Sequence, residues 1–249
     1  MFALTKGRYT ARLAETTGDV ALAQALRHRS FLARRGLAAG QGYDADAFDA
    51  QCQHVLVEER PSGRLVCCYR LMCFGADQSL ATSYAAQVYG LSGLDGFVGA
   101  KLELGRFCLD PDWHDPDILR LAWGAMAQIV DAGQVSLLFG CSSFEGAEWQ
   151  PHAKALALLR GHLAPNAWMP VQKAPEVFGF TEALRDTPFD LRDALQSLPP
   201  LLRTYLAMAG WVSDHAVIDR QLDTLHVFTA VEIEKIPPAR ARALRAIFE

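Results

Sequence analysis

The chain has 249 residues, of which 51% are hydrophobic and 21% are charged. This composition excludes a disordered or collagen-like protein, and the length predicts one domain, since hydrophobic cores usually divide only beyond roughly 250–300 residues. The formal net charge of −4 argues against general nucleic-acid binding, which usually needs a strongly basic domain.

Hydrophobic spacing and the positions of glycine and proline predict alternating helices and strands. In chain order we expect a helix at 19–35, strands at 51–58, 65–74 and 101–109, a helix between Asp115 and Gly133, a strand at 134–141, a helix at 150–162, strands at 212–219 and 224–232, and a helix at 238–248. This order predicts an α/β or α+β domain with a mixed sheet. We interpret 1–249 as a single domain, with 163–249 as a C-terminal elaboration packed on its core.

The sequence also indicates where the protein works. No apolar run approaches the roughly 20 residues of a membrane span, and the first residues lack the apolar core of a signal peptide. The six cysteines lie in apolar, strand-like runs, which predicts buried thiols in a reducing cytosol. No metal is expected, because the adjacent Cys67 and Cys68 point to opposite faces of a strand.

Seven short motifs occur in a characteristic order along the chain. They are LRHRSF at 26–31, DADAFD at 44–49, CQHVLV at 52–57, YRL at 69–71, ELGR at 103–106, LFGCSSF at 138–144 and PPLLRTYL at 199–206. Together they resemble the ornithine-acyl-ACP N-acyltransferases of ornithine-lipid synthesis, within the Gcn5-related N-acetyltransferase superfamily. Elements shared with acyl-homoserine-lactone synthases are also present.

The resemblance implies a three-layer fold with a mixed, mainly antiparallel sheet flanked by helices. It further implies transfer of a long-chain, typically 3-hydroxyacyl group from acyl carrier protein to the α-amino group of ornithine. The acyl group would arrive on the phosphopantetheine arm of the carrier, without a separate cofactor, and the product would be a lyso-ornithine lipid. Two alternatives remain open: an acyl-homoserine-lactone synthase, and a non-catalytic acyl-carrier or lipid-binding module.

The segment after the strand 101–109 departs from the superfamily pattern. Coenzyme A-dependent members hold pyrophosphate there on the backbone N–H groups of a glycine-rich loop. Here the segment 109–117 reads LDPDWHDPD, with four carboxylates and no glycine. We therefore expect repulsion of phosphate at this junction, and a carrier-protein thioester as the donor in place of acyl-coenzyme A.

Aminolysis of a thioester needs a neutral amine, a positioned carbonyl and stabilisation of the developing oxyanion. Gly105, inside a predicted strand, indicates a β-bulge or a close approach of another backbone, and would leave backbone N–H groups for the carbonyl. Glu103 is the candidate base for the ornithine ammonium. A solvated strand carboxylate is the alternative for Glu103.

The ornithine carboxylate suits an arginine, and its distal ammonium suits a carboxylate. Arg29 and Arg70 are candidates to bind the carboxylate or the donor arm, or else to form structural ion pairs with Asp46 or Asp49. Asp44, Asp46 and Asp49 are in turn candidates for the ammonium, or part of a solvated or helix-capping loop. Arg106 is assigned either a salt bridge or a thioester or phosphate contact. The resemblance adds three substrate-binding candidates: Phe31, Ser142 and Phe144.

Two surfaces are candidates for partners. An acidic carrier protein would bind basic residues, for which the candidates are Arg27, Arg34, Arg35, Lys101, Arg120, Lys154 and Arg160. The helix at 238–248 could bring the cytoplasmic enzyme into peripheral contact with the inner face of the membrane through Leu244, Ile247 and Phe248. The alternative is that this helix docks on the domain.

Overall fold

The computed structural model of the protein describes residues 2–37 and 42–247, apart from the side chain of Arg34. The helices are α1 (Thr17–Arg27), α2 (Pro116–Ala132), α3 (Ala153–Leu159), α4 (Phe180–Ala183), α5 (Leu191–Ser197), α6 (Pro200–Ala207) and α7 (Pro238–Arg245). The strands are β1 (Ala3–Lys6), β2 (Tyr9–Leu13), β3 (Gln53–Glu59), β4 (Arg64–Phe74), β5 (Tyr89–Gly90), β6 (Ala100–Leu109), β7 (Val135–Glu145), β8 (Val171–Gln172), β9 (Val177–Phe178), β10 (Trp211–Asp219) and β11 (Thr224–Glu232).

These elements group into two compact units. Unit 1 comprises Met1–Cys73, Leu104–Val135 and Pro238–Glu249, and unit 2 comprises Phe74–Glu103 and Ser136–Pro237. The strand β6 is divided between them, with Glu103 in unit 2 and Leu104 in unit 1. The last helix groups with unit 1, while 163–237 group with unit 2. No helix among the described residues is long and apolar enough to cross a membrane.

Unit 1 contains the antiparallel series β1, β2, β3 and β4. Helix α1 begins at a capping box, in which Thr16 accepts from the Asp19 backbone N–H and the Asp19 carboxylate accepts from that of Thr16. The helix buries Ala23 and Leu26 in a core cluster with β4 and β6 residues. The hairpin β3–β4 and the helix α2, which begins behind Asp115, confirm two predictions from the sequence.

Unit 2 contains the antiparallel series β7, β11, β10 and β9. Its main core cluster joins β-strand residues such as Val227 to the apolar faces of the short helices α3 to α6. The sequence predicted no helix between 162 and 212, but Pro200 stands in the first turn of α6. Proline is tolerated there because the N–H that it lacks has no partner within the helix.

Helix α7 is docked on unit 1. Leu244 is 8% exposed, and Arg245 donates to both carboxylate oxygens of Asp131 at 2.8 and 2.7 Å. Ile247 packs so closely on Gly124 that a β-carbon there would lie 2.5 Å from it. The described part of this helix therefore uses its apolar side for the core, which is the docked alternative considered from the sequence. Peripheral contact with the membrane stays a prediction. Phe248 lies outside the described residues.

Candidate functional site

An arginine–aspartate cluster is the main polar feature of unit 1. We use this name for the six residues Arg27, Arg70, Arg106, Asp44, Asp46 and Asp49. Arg70 Nη1 donates to Asp46 Oδ1 at 2.5 Å and to Asp49 Oδ1 at 2.8 Å. Arg27 Nη1 donates to Asp49 Oδ1 at 2.7 Å, and Arg106 Nε donates to Asp44 Oδ2 at 3.0 Å. Three positive and three negative side chains thus neutralise one another.

Four stretches of chain bring the arginine–aspartate cluster together. Arg27 is the last residue of α1, Arg70 lies on β4, and Arg106 lies on β6, while the aspartates come from the segment before β3. Burial alone would raise the pKa of Asp49, but hydrogen bonds from Arg27, Gln24 and Arg70 outweigh it and hold the pKa well below its usual range. Asp49 therefore carries its negative charge at neutral pH.

The cluster has a buried end and an accessible end. The side chain of Arg27 is 1% exposed and that of Asp49 is 7% exposed, whereas that of Asp46 is 24% exposed. Arg106 reaches this outer end, where its Nη2 donates to Asp46 Oδ2 at 3.3 Å. Charge pairs with solvent access exchange partners more readily than fully buried ones, because less desolvated charge is left uncompensated. Asp46 and Arg106 are thus the members best placed to meet a charged ligand.

The left-handed residue in β6 is Arg106, with φ of 52°, while Gly105 does not have a positive φ. A β-carbon on Gly105 would lie 3.5 Å from Arg70 Nε and 3.6 Å from Arg70 Cγ, an ordinary contact distance. The strand thus has a left-handed residue next to Gly105, while the predicted bulge or close backbone approach at Gly105 itself stays a prediction. A left-handed conformation is costly for a residue with a β-carbon, and here it accompanies the ion pairs that Arg106 makes with Asp44 and Asp46.

Glu103 lies in unit 2 and is 4% exposed. Its Oε2 accepts from the backbone N–H of Tyr84 at 2.8 Å, and its Oε1 accepts from that of Ala85 at 2.7 Å. These N–H groups begin a short 3-10 helix, Ala85–Gln87. The prediction that Glu103 is a solvated strand carboxylate is wrong, since the carboxylate is buried and held by backbone donors. Its role as a base stays a prediction.

Arg29 and Phe31 lie in a π-helical turn, His28–Leu32, that continues α1. Phe31 packs on the core cluster of unit 1. Ser30 Oγ donates to the carbonyl of Leu109 at 2.8 Å, which attaches the turn to the end of β6. Arg29 does not pair with Asp46 or Asp49 as considered from the sequence. Its Nη2 instead donates to Asp110 Oδ2 at 3.3 Å.

The Asp-rich junction after β6 does not carry the net repulsion that was expected. Asp110 pairs with Arg29 and Arg64, and Asp112 also pairs with Arg64. Further along, Asp115 accepts from the Tyr9 hydroxyl at 2.8 Å and Asp117 pairs with Arg120. Part of the expected repulsion of phosphate is therefore offset, because these carboxylates are matched by cations or hydrogen-bond donors. The nature of the acyl donor stays a prediction.

The backbone of this junction is nevertheless unsuited to holding phosphate. The N–H of Asp110 donates to Val66 O, that of Asp112 to Asp110 Oδ1, and that of Trp113 to Asp110 O, at 2.8 to 3.1 Å. Proline occupies 111 and 116 and has no N–H. Three backbone N–H groups directly after β6 are thus already used within the junction, and two further positions have none.

Ser142 and Phe144 alternate with Cys141 and Ser143 along β7. Phe144 is 1% exposed and belongs to the core cluster of unit 2, and Ser142 is 2% exposed. Cys141 pairs with Phe228 of β11, and Ser143 pairs with His226. Alternate residues of a strand share a face. Ser142 therefore lies on the same face of β7 as Phe144, which is a core residue. Their substrate role stays a prediction.

Two of the residues proposed for the basic surface that binds the carrier protein cannot belong to it, because they are buried. Arg27 and Lys101 are each 1% exposed, and Lys101 Nζ donates to the carbonyl of Ala76 at 2.9 Å. Arg160 donates to the carbonyls of Leu184 and Arg185. The side chain of Arg34, a further candidate, lies outside the described part of the structure. Helical spacing in a sequence does not reveal such partners, because they are distant along the chain.

Sequence reasoning missed Arg27 and Arg64 as members of polar clusters. Arg27 was assigned to the surface, although it stands two residues before Arg29 in the LRHRSF motif. Its neighbour Leu26 is a core residue. The position of Arg27 beside an apolar helix face was therefore the signal in the sequence that its side chain could be buried. Arg64 directly follows the turn residue Gly63, and nothing in the sequence distinguished it from an ordinary surface arginine.

Known proteins resemble this chain over the stretches that contain these residues. A family model described as Acetyltransferase (GNAT) domain matches residues 26–124, which confirms the predicted fold class. The protein named L-ornithine N(alpha)-acyltransferase of Rhodobacter capsulatus is 30% identical over 238 residues, covering 91% of this chain and 90% of that protein. The protein of the same name from Brucella abortus is 29% identical over 242 residues, covering 92% and 86%. A solved structure of FeeM, an N-acyl amino acid synthase from uncultured soil microbes, is 11% identical with a TM-score of 0.48, covering 91% of this chain and 92% of that chain.

Proposed function

We propose that this chain, which belongs to the family of L-ornithine N(alpha)-acyltransferases, transfers a long-chain, typically 3-hydroxyacyl group from acyl carrier protein to the α-amino group of L-ornithine. The observation in the structure that supports this reaction best is the arginine–aspartate cluster. It offers both signs of charge in one place, as an acceptor with a carboxylate and a distal ammonium requires.

The accessible end of the cluster binds ornithine in this proposal. The δ-ammonium pairs with the Asp46 carboxylate, and the ornithine carboxylate pairs with the Arg106 guanidinium, replacing the existing contact between these two side chains. Asp49 and Arg70 hold the outer pair in position from the buried side. One ion pair within the protein is replaced by two ion pairs with the ligand, one at its δ-ammonium and one at its carboxylate.

The transfer itself needs a neutral α-amine. Glu103 takes the proton of the α-ammonium, directly or through a water, and the amine nitrogen attacks the thioester carbonyl. A new C–N bond forms, the C–S bond breaks, and the carrier thiolate leaves and is protonated. Backbone N–H groups near Gly105 stabilise the oxyanion in this proposal. The two buried hydrogen bonds to Glu103 support it as a positioned group.

Acyl carrier protein is the proposed donor, through its phosphopantetheine arm and without a separate cofactor. The used backbone donors of the Asp-rich junction support a donor with one phosphodiester over one with a pyrophosphate. The product has a long acyl chain and partitions into lipid, so a cytoplasmic enzyme in peripheral contact with the membrane fits the reaction.

Purified protein incubated with 3-hydroxyacyl-ACP and ornithine tests the reaction directly. We expect a product with the mass of N-acylornithine and release of one carrier thiol per product. Fragmentation by mass spectrometry distinguishes α- from δ-acylation. S-adenosylmethionine as the acceptor tests the lactone-synthase alternative, and absence of thiol release with every acceptor would support a non-catalytic module.

Asp46→Asn tests the binding of the acceptor, with norvaline as the matched substrate because it is ornithine without the δ-amine. The wild type should prefer ornithine over norvaline, and D46N should lose about tenfold or more of this preference, the usual value of a charge-assisted hydrogen bond. The exposed Asp117→Asn is the control. An unchanged preference in D46N would remove Asp46 from the ornithine site.

A further inference from the structure

Helix α5 of unit 2 leaves part of its apolar stripe uncovered. Ala194 and Leu198, which follows the helix, are buried in the core cluster of unit 2. Leu191 and Leu195 lie one turn apart on the same stripe, and they are 59% and 38% exposed. No other helix or strand in the described part of the chain has two exposed large apolar side chains. Such a pair forms a continuous apolar surface, which is a common property of interaction sites.

Two exposed arginines lie beside these leucines. Arg192 is on α5 and Arg203 is on α6, and both line a groove of about 440 Å³ together with Leu191 and Leu195. Neither guanidinium has a hydrogen bond or an ion pair with another of the described residues. We call these four residues the leucine–arginine patch. It combines uncovered apolar surface with cations that the fold does not neutralise.

The leucine–arginine patch carries a net positive charge. Among the described residues that line its groove, the one carboxylate is that of Asp190, which caps α5 by accepting from the Asp193 backbone N–H at 2.9 Å. The carboxylate of Asp193 itself pairs with Lys154 at 2.9 Å. Two arginines against one carboxylate leave a positive charge beside the leucines. The patch is therefore complementary to an anionic surface.

Leucines and arginines side by side match an anionic lipid surface better than an acidic protein. An arginine lays its aliphatic stem along apolar surface while its guanidinium stays among polar groups. Leucines beside such cations are typical of helices that lie at the boundary between headgroups and acyl chains. An acidic protein would be matched by charge, but it would leave the two uncovered leucines unexplained.

We propose that the leucine–arginine patch binds the surface of an anionic membrane, with Leu191 and Leu195 at the upper acyl chains and Arg192 and Arg203 at the lipid phosphates. The proposal assigns a surface to the peripheral membrane contact and so rests on the proposed function. It locates this contact on unit 2, whereas α7 uses its apolar side for the core of unit 1. The patch is small, so the binding is reversible and depends on lipid charge.

Co-sedimentation of the full-length protein with vesicles of phosphatidylcholine, alone or mixed with phosphatidylglycerol, tests the proposal. The wild type should bind the anionic vesicles at least about tenfold more tightly, and high salt should remove this difference. Arg192→Glu and Arg203→Glu should each weaken binding to anionic vesicles by about fivefold or more. Leu191→Gln and Leu195→Gln should weaken binding to both kinds of vesicle. All four variants should keep the wild-type Tm, because these side chains are exposed.

Leu22→Gln and Arg242→Glu are the matched controls. Leu22 is a 53% exposed leucine on α1, and Arg242 is an exposed arginine on α7. Both variants should bind vesicles as the wild type does. Equal binding of the two kinds of vesicle by the wild type, or unchanged binding in all four patch variants, would overturn the proposal. Loss of binding in Arg242→Glu alone would overturn it in favour of α7.

Acyl transfer from acyl-ACP to ornithine, measured without vesicles, gives a separate readout. The patch variants should keep the wild-type KM for acyl-ACP. A raised KM in Arg192→Glu and Arg203→Glu with unchanged vesicle binding would assign the patch to the carrier protein and contradict the lipid contact. A dimer that Leu195→Gln dissociates in sedimentation velocity, again with unchanged vesicle binding, would assign it to a second copy of the chain. Vesicle binding through the patch in a protein that transfers no acyl group would contradict the proposed function alone.

Discussion

Glu103 Oε1 accepts a hydrogen bond of 2.7 Å from the backbone N–H of Ala85. The other carboxylate oxygen binds the neighbouring N–H of Tyr84, so one side chain caps the start of a 3-10 helix. A residue proposed as a proton acceptor thus also has a structural role. Any experiment on Glu103 must separate the two.

Glu103→Gln should lower kcat by about 10²–10³ and also lower the free energy of unfolding by about 1–3 kcal/mol. The first effect is the usual contribution of a general base, and the second arises because the glutamine amide would present a donor to a backbone donor. Enzyme turnover over a range of pH and chemical denaturation measure the two effects. Ser83→Ala is the matched control, since Ser83 Oγ accepts from the Ala86 N–H in the same turn. An equal loss of kcat in the Ser83 variant would assign Glu103 a structural role only.

Gly105→Ala should change the free energy of unfolding by no more than about 1 kcal/mol. The new methyl group would meet Arg70 at an ordinary contact distance, and the backbone there is not left-handed. If the donor passes close to this backbone, KM for the acyl donor should nevertheless rise about tenfold, the equivalent of about 1.4 kcal/mol. Gly75→Ala, where a β-carbon would have no neighbour within 4 Å, is the control. A wild-type KM in Gly105→Ala would exclude close approach of the donor at this residue.

His226 should make the protein less stable as the pH falls from about 6.5 toward 4. Burial lowers its pKa to about 4 in the folded protein, whereas an unfolded histidine titrates near 6.5. The unfolded state therefore binds the proton first, and stability is fully present above the unfolded pKa and is lost by up to about 3 kcal/mol across this window. Burial also lowers the pKa of His54, which acts in the same direction.

Thermal unfolding between pH 7 and pH 4 measures the effect of His226. His226→Phe should flatten the dependence of Tm on pH, leaving a smaller slope from His54, while the exposed His114→Gln should behave as the wild type. An identical slope in His226→Phe and the wild type would show that folding does not lower the pKa of His226.

Leu244→Ala should lower the free energy of unfolding by about 2–5 kcal/mol, as removal of a buried leucine side chain does. Leu244 is 8% exposed on the docked helix α7. Arg242→Ala, on the exposed side of the same helix, should change it by less than about 0.5 kcal/mol. Chemical denaturation of both variants decides the issue. A Leu244 variant as stable as the wild type would reopen the membrane role of this helix.

Local chemistry in the sequence determined most elements of the fold. The N-cap Asp115 with Pro116, the turn residue Gly63 between two apolar runs, and the strand pattern of 224–232 each carry their signal within a few residues. The short helices α5 and α6 were not predicted, because the prolines at 188, 199 and 200 interrupt any continuous helical pattern. They form because they cover the apolar face of the unit 2 strands, which no local pattern shows.

The residues of the candidate site were present in the sequence motifs, but only the tertiary structure decided their partners. Arg27 and Asp49 are separated by 21 intervening positions and Arg106 and Asp44 by more than sixty, so spacing could not pair them. A charged side chain is buried only where opposite charges and hydrogen-bond donors compensate its desolvation. Arg27 meets this condition and is buried. Arg29, two residues later, instead pairs with Asp110, and its side chain stays about half-exposed. This difference depends on which carboxylates the fold brings to each arginine, and that is set by contacts far apart in the chain.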